Sequence, residues 1–79
     1  MIRVIVVYDI SNDKSRKKVS DTCQDYGLDR QQYSVFSGMI KPTHLRELAK
    51  VLRPLLKDGQ VLLIPIASDD WDRRVELGV

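Results

Sequence analysis

The chain has 79 residues with 13 Lys or Arg and 11 Asp or Glu, so its formal net charge is only +2. A chain of this length forms one domain, and we expect residues 1–79 to fold as a single unit. Cys23 is the only cysteine, which excludes an intrachain disulfide, and no apolar run approaches the ~20 residues that cross a bilayer. We therefore expect a cytoplasmic protein with no membrane partner.

The chain begins with a run of β-branched and apolar residues, IRVIVVYD, at residues 2–9. This composition is typical of a buried central strand. Alternation places Ile2, Val4, Val6 and Tyr8 on one face and Arg3, Ile5, Val7 and Asp9 on the other. Both faces are largely apolar, so we expect both to be covered.

A polar segment follows and predicts a helix of three to four turns. Asn12 or Asp13 is its N-cap, and Gly27 ends it. Its apolar positions follow helical spacing: Val19, Cys23 and Tyr26.

Residues 30–40 return to strand composition. Ser37 and Gly38 either divide them into two short strands or mark a bulge, and both alternatives stay open. Pro42 then begins a leucine-rich second helix that Pro54 ends near Leu52.

Gln60–Ile66 predicts another buried strand, which leaves regular pairing near Pro65. The last residues alternate, with Val75, Leu77 and Val79 on one face, and predict a short C-terminal strand. The whole order is an α+β, ferredoxin-like βαββαβ arrangement with one extra strand. Its helices cover one sheet face, so we expect a second copy to cover the other as a homodimer, with residues 67–79 pairing with the partner subunit.

Asp9 is the strongest candidate for chemistry, because it ends a buried strand where a carboxylate is partly desolvated. The alternative is a strand-end acid that faces water or caps the loop. One carboxylate is a poor metal site, but a two-fold axis supplies a second, and two carboxylates with water and phosphate oxygens suit Mg²⁺. Asp13 is a second possible ligand, although its position favours capping.

Basic residues cluster at the start of the first helix: Lys14, Arg16, Lys17 and Lys18. A helix N-terminus with nearby cations attracts phosphate, although such a charge run is usually a solvated helix face. The other candidates are weaker. We expect the aromatic rings to lie in the core or the dimer interface, His44 to lie at the surface, and Cys23 to be a buried, inert thiol.

Three stretches resemble a known family: VVYDISNDKSRKKV, YGLDRQQYSVFSG and VLLIPI. They are similar to CRISPR-associated protein two, the small partner of the CRISPR integrase, and the resemblance spans nearly the whole chain. It implies a ferredoxin-like homodimer that bridges the integrase and supports the duplex inserted as a new spacer. It also implies metal-dependent endonuclease activity on RNA or DNA, with Mg²⁺ as the expected metal.

The same resemblance assigns site residues. Asp9 matches the catalytic, metal-holding acid of the first strand, and the nucleic-acid-binding positions fall on Tyr8, Arg16, Lys18, Arg30 and Phe36.

The chain departs from the family pattern at two places. Lys18 stands where the family often has Arg, and Ser37–Ile40 lacks an acid that is often beside the glycine. Two functions therefore stay open, a Mg²⁺-dependent endonuclease and a purely non-catalytic DNA-binding scaffold in which Asp9 is structural.

Overall fold

Residues 1–78 are described by a computed structural model, in which two layers, a sheet and a pair of helices, form the fold. The strands are β1 (Ile2–Asp9), β2 (Asp29–Gln32), β3 (Val35–Ile40) and β4 (Gln60–Ile66). The helices are α1 (Asp13–Asp25), α2 (Pro42–Leu52) and the short α3 (Ser68–Asp72). No helix of the described residues is long and apolar enough to cross a membrane.

The predicted central position of β1 is confirmed. The sheet order is β2-β3-β1-β4, and β1 pairs antiparallel with β3 on one side and with β4 on the other. Together with α1 between β1 and β2 and α2 between β3 and β4, this is the predicted α+β, ferredoxin-like arrangement.

The core lies between the helices and one face of the sheet. Val4, Val6 and Tyr8 of β1 are buried there, as the alternation of the strand predicts. The other buried apolar residues come from α1, β3, α2 and the loops beside α1: Ile10, Val19, Cys23, Leu28, Phe36, Ile40, Leu48 and Leu52. The residues of β1 that alternate with these point to a sheet face that the two long helices do not cover.

Asn12 is the N-cap of α1, which settles the choice left open by the sequence. The Asn12 side chain accepts a hydrogen bond from the backbone N–H of Ser15 at 2.9 Å. Gly27 follows the helix with φ of 81°, a left-handed conformation that favours glycine. These two residues fix the direction in which the chain leaves and rejoins the sheet.

Residues 29–40 form two strands, but the break is not at Ser37–Gly38. The chain turns at Tyr33 and Ser34, and the register shifts between Arg30 and Gln32. Gly38 lies inside β3, and glycine is needed there because a Cβ would lie only 3.0 Å from Leu28 Cδ2. The glycine therefore serves close packing rather than a turn.

The second helix ends at Leu52 as predicted, and a 3₁₀ turn (Arg53–Leu55) holds Pro54. The prediction that β4 is buried and leaves its pairing near Pro65 was wrong. Pro65 stays opposite Val4, and β4 is an edge strand with Leu62 and Ile64 exposed. An edge strand tolerates proline because a missing N–H on its outer side breaks no ladder bond.

The C-terminal segment forms α3 and then continues without regular structure from Arg74 to Gly78. The extra strand predicted there is absent from residues 1–78 of this single chain, because a strand needs a neighbouring edge to pair with. Pairing of residues 67–79 with a partner subunit stays a prediction, and Val79 lies outside the described residues.

Truncation of Leu48 tests the core. Leu48 is fully buried on α2, so Leu48→Ala should lower the free energy of unfolding by about 2–5 kcal/mol, measured by urea denaturation. Val51→Ala is the matched control on the same helix, because Val51 is 40% exposed, and it should change stability by less than about 1 kcal/mol. Equal losses for the two variants would contradict this assignment of the core.

Candidate functional site

Asp9 is the last residue of β1 and lies opposite Gln60 of β4. It is exposed and alternates with the buried Tyr8, so its carboxylate is on the sheet face that α1 and α2 leave open. Its side chain has no hydrogen-bond or ion-pair partner within residues 1–78.

The residues around Asp9 do not complete a metal site within one chain. No group of three or more His, Cys, Asp or Glu is placed to hold a metal ion in the part of the chain that the structure describes. Asp13, the alternative second ligand, instead pairs with Arg16. Mg²⁺ keeps several waters and is bound through one or two carboxylates plus phosphate oxygens, so Asp9 could hold it only together with such further oxygen ligands.

A polar groove lies on the helix side of the sheet, between α1 and the turn that joins β2 to β3. Its volume is about 380 Å³. It is lined by Tyr8, Asp13, Arg16, Lys17, Ser20, Asp21, Gln24, Arg30 and Tyr33. The groove therefore brings together Tyr8, Arg16 and Arg30, three of the five positions that the resemblance assigns to nucleic-acid binding.

Arg16 is held in the groove by its own neighbours. Its guanidinium donates a hydrogen bond to the Ile10 carbonyl at 3.0 Å and pairs with the carboxylate of Asp13. The hydrogen bond to Asp13 raises the pKa of Arg16. The Tyr33 ring lies 5.6 Å from the guanidinium carbon. Much of the charge of Arg16 is thus compensated before any ligand arrives.

Arg30 ties the β2–β3 hairpin to α1. It donates hydrogen bonds to the Tyr33 carbonyl and to Ser20 Oγ, and its guanidinium carbon lies 4.8 Å above the Phe36 ring. Phe36 in turn stacks with Tyr8, with ring centroids 6.3 Å apart. Phe36 and Tyr8 are 0% and 3% exposed, so we expect both rings to support Arg30 rather than to stack on a base.

Lys18 does not share the groove with Arg16. Two positions along a helix correspond to a rotation of about 200°, and the exposed Lys18 is absent from the groove lining. Lys17 does line the groove but pairs with Asp21 at 2.9 Å. The basic cluster of the sequence is therefore divided between two sides of α1 and partly neutralised.

Tyr33 is a groove residue that lies outside the core of the single chain, and a place for its ring in a dimer interface stays a prediction. The Tyr33 side chain is 70% exposed at the hairpin turn. The signal was its position in the turn, but the sequence left the place of that turn open.

Comparison with known proteins identifies the family. The model of the family "CRISPR associated protein Cas2" matches residues 1–74. This chain belongs to the Cas2 family. A CRISPR-associated endoribonuclease Cas2 of Chloroflexus aurantiacus is 42% identical over 77 residues, which cover 94% of this chain and 91% of that protein. The resemblance found in the sequence is thereby confirmed.

Two further relatives of this Cas2-family chain bear on its fold and its surroundings. The crystal structure of Streptococcus pyogenes Cas2 superposes with a TM-score of 0.83 at 27% identity, covering 98% of this chain and 100% of that one. A Cas1/Cas2 fusion of Thermoproteus tenax is 47% identical over 49 residues, which are 62% of this chain and 19% of the fusion.

The open sheet face of this Cas2-family chain is apolar at its centre. Val7 of β1 lies opposite Leu62 of β4, and Ile5 lies opposite Ile64. Leu62 and Ile64 are 48% and 42% exposed. Asp9 and Gln60 are the next pair along the same ladder, so the candidate carboxylate borders an uncovered apolar surface.

The thiol of Cys23 takes no part in either surface. Cys23 is fully buried between α1 and the sheet, and burial raises the pKa of its thiol from 9.0 to about 11. The prediction of a buried thiol is confirmed, and the prediction that His44 lies at the surface is also confirmed.

Thiol labelling tests this assignment. At pH 8 the shift in pKa lowers the thiolate fraction of Cys23 about 100-fold, and burial also blocks access. We expect reaction with dithionitrobenzoate to be at least about 100-fold slower for the folded protein than for the same protein in concentrated urea. Similar rates in the two states would show that Cys23 is accessible and reactive.

Proposed function

We propose that this protein acts in CRISPR adaptation as a homodimer that binds nucleic acid and bridges the CRISPR integrase, Cas1. The observation that carries the proposal is the open sheet face, where an apolar centre lies beside the unpartnered carboxylate of Asp9. A second copy packed on this face buries Ile5, Leu62 and Ile64 and brings a second Asp9 to the same interface.

Support for the partner comes from the relatives. Cas1 and Cas2 are parts of one polypeptide in the Thermoproteus tenax fusion, which favours Cas1 as the partner of this chain. The C-terminal segment extends this proposal, since residues 67–79 lack a strand partner in the single chain and are available to pair with another subunit.

The nucleic acid is DNA, RNA or both. Arg16 and Arg30 meet in the groove, and Lys18 is exposed on another side of α1. The Arg30 guanidinium lies over the Phe36 ring, and the Tyr8 ring stacks with Phe36. Because the cations contact phosphates rather than bases, binding should depend steeply on salt and little on sequence.

We propose further that the dimer is a metal-dependent endonuclease, with Asp9 as the catalytic residue. The name endoribonuclease of the Chloroflexus aurantiacus relative supports this activity. Asp9 from the two subunits would hold Mg²⁺, which supplies an activated water and stabilises the charge that develops on the phosphate. The alternative is a purely non-catalytic scaffold with Asp9 structural, although the carboxylate of Asp9 forms no hydrogen bond or ion pair within residues 1–78.

The dimer interface is tested with Ile64→Asp. A carboxylate at the centre of an apolar interface is costly to desolvate, so the variant should have the mass of one chain by light scattering where the wild type has twice that mass. Val51→Asp places the same charge on a residue of similar exposure in α2 and should leave the dimer intact. A dimeric Ile64→Asp variant would exclude this face as the interface.

The nuclease is tested with Asp9→Asn, which keeps the shape of the side chain but removes its charge. Cleavage of RNA and duplex DNA in the presence of Mg²⁺ should fall at least about 100-fold, with dimer mass unchanged. Asp25→Asn, at the exposed end of α1, should cleave at the wild-type rate. Wild-type cleavage by Asp9→Asn would show that the activity belongs to a contaminant. Spacer acquisition that survives the Asp9→Asn substitution would favour the alternative, in which the protein is a non-catalytic DNA-binding scaffold.

A further inference from the structure

The positive charge of the chain is concentrated in and around α2. Residues 41–57 contain five Lys or Arg and one acid, whereas the rest of the chain contains eight Lys or Arg and ten acids. The segment therefore carries +4 and the remainder carries −2, with His44 taken as neutral. The basic cluster of α1, which stands out in the sequence, is not where the excess lies.

The ion pairs also differ between the two parts of the chain, because in the described chain they neutralise cations outside residues 41–57 only. In α1, Arg16 pairs with Asp13 and Lys17 with Asp21. Near the C-terminus, Arg73 pairs with Asp69 and Asp70, and Arg74 pairs with Glu76. Within residues 1–78, no Lys or Arg of the segment 41–57 belongs to an ion pair.

Three of these cations form one row, which we call the α2 stripe: Arg46, Lys50 and Arg53. Their spacing of four and three residues places them on one side of the helix, and Arg53 keeps helical backbone angles of −50° and −50°. All three are exposed, whereas Leu48 and Leu52 of the same helix are buried against the sheet.

The single acid of the segment does not neutralise the α2 stripe. Glu47 lies beside Tyr26 at the end of α1, where burial and then the Glu47 carboxylate raise the pKa of the tyrosine. The stripe is thus left as an acid-free row on the outer surface of the helix layer, away from both the groove and the open sheet face.

The length of the α2 stripe fits a phosphate backbone. The seven steps of helical backbone from Arg46 to Arg53 rise about 10 Å, the axial rise of about three nucleotides of one strand. Arginine also presents a planar fork of donors that matches phosphate oxygens. We propose that the α2 stripe is a second nucleic-acid-binding surface that contacts the phosphates of one strand. The inference rests on the proposed function, because it takes the nucleic acid held by the dimer as its ligand.

The test measures the salt dependence of binding to a fluorescently labelled DNA duplex by anisotropy, between about 50 and about 200 mM KCl. Arg46→Gln with Arg53→Gln removes two cations and should lower the slope of log K against log salt by about 1.8 for each protomer in contact. Arg46→Lys with Arg53→Lys is the matched control, because it keeps both charges and should keep the wild-type slope. All four substitutions are at exposed positions, and circular dichroism checks that the fold is retained.

A lower slope for the glutamine variant alone supports the inference. A wild-type slope for the glutamine variant overturns it and leaves the proposed function standing, with an acidic protein surface as the remaining occupant of the α2 stripe. A wild-type protein that binds neither the duplex nor an RNA of the same sequence overturns the proposed function and this inference together.

Discussion

The structure depends on a constraint at β1, a strand that has neighbours on both sides and apolar residues on both faces. Val4, Val6 and Tyr8 are packed under the helices, and burying such side chains is worth roughly 1.5–3 kcal/mol each. Ile5 and Val7 point to the other sheet face, which α1 and α2 do not cover, and they are only half-buried. A 79-residue chain buries a small core, so the proposed second copy on this face would add apolar burial that one chain lacks.

The position of the Asp9 side chain is set by the same strand. Alternation along β1 sends Tyr8 into the core and Asp9 to the open face, one residue apart. The carboxylate and the basic groove therefore lie on opposite sides of the sheet. The proposed nuclease therefore takes its metal ligand from the open sheet face and its phosphate contacts from the helix side.

The basic residues that cluster in the sequence are not all available to bind a ligand, because some of them are already paired within the fold. The α1 cluster is dense in the sequence, but Arg16 and Lys17 are paired with acids of the same helix, and Arg30 is used to fix the hairpin. The α2 stripe is sparse in the sequence, but its three cations are exposed and form no ion pair within residues 1–78. Exposed ion pairs such as Lys17–Asp21 contribute little stability, yet they reduce the positive charge that a phosphate meets.

Local signals predicted much of the fold. Asn12, Gly27 and Pro54 marked helix ends because caps and breakers act through the backbone of their own residues, and β1 was recognisable as central from its apolar run. The turn at Tyr33 and the edge position of β4 were missed. A turn competes with continued pairing, and an edge strand differs from a central one only in what lies beside it.

The sequence by itself determined β1, the two long helices, the family and the identity of Asp9 as the candidate acid, because each of these follows from short motifs or from periodicity. Only the tertiary structure decided that Phe36 is buried beneath Arg30, that Arg16 and Lys18 diverge, and that the cations of the α2 stripe form no ion pair within residues 1–78. Those facts depend on which residues meet across distant elements. Spacing along the chain does not encode such meetings until the sheet and helices pack.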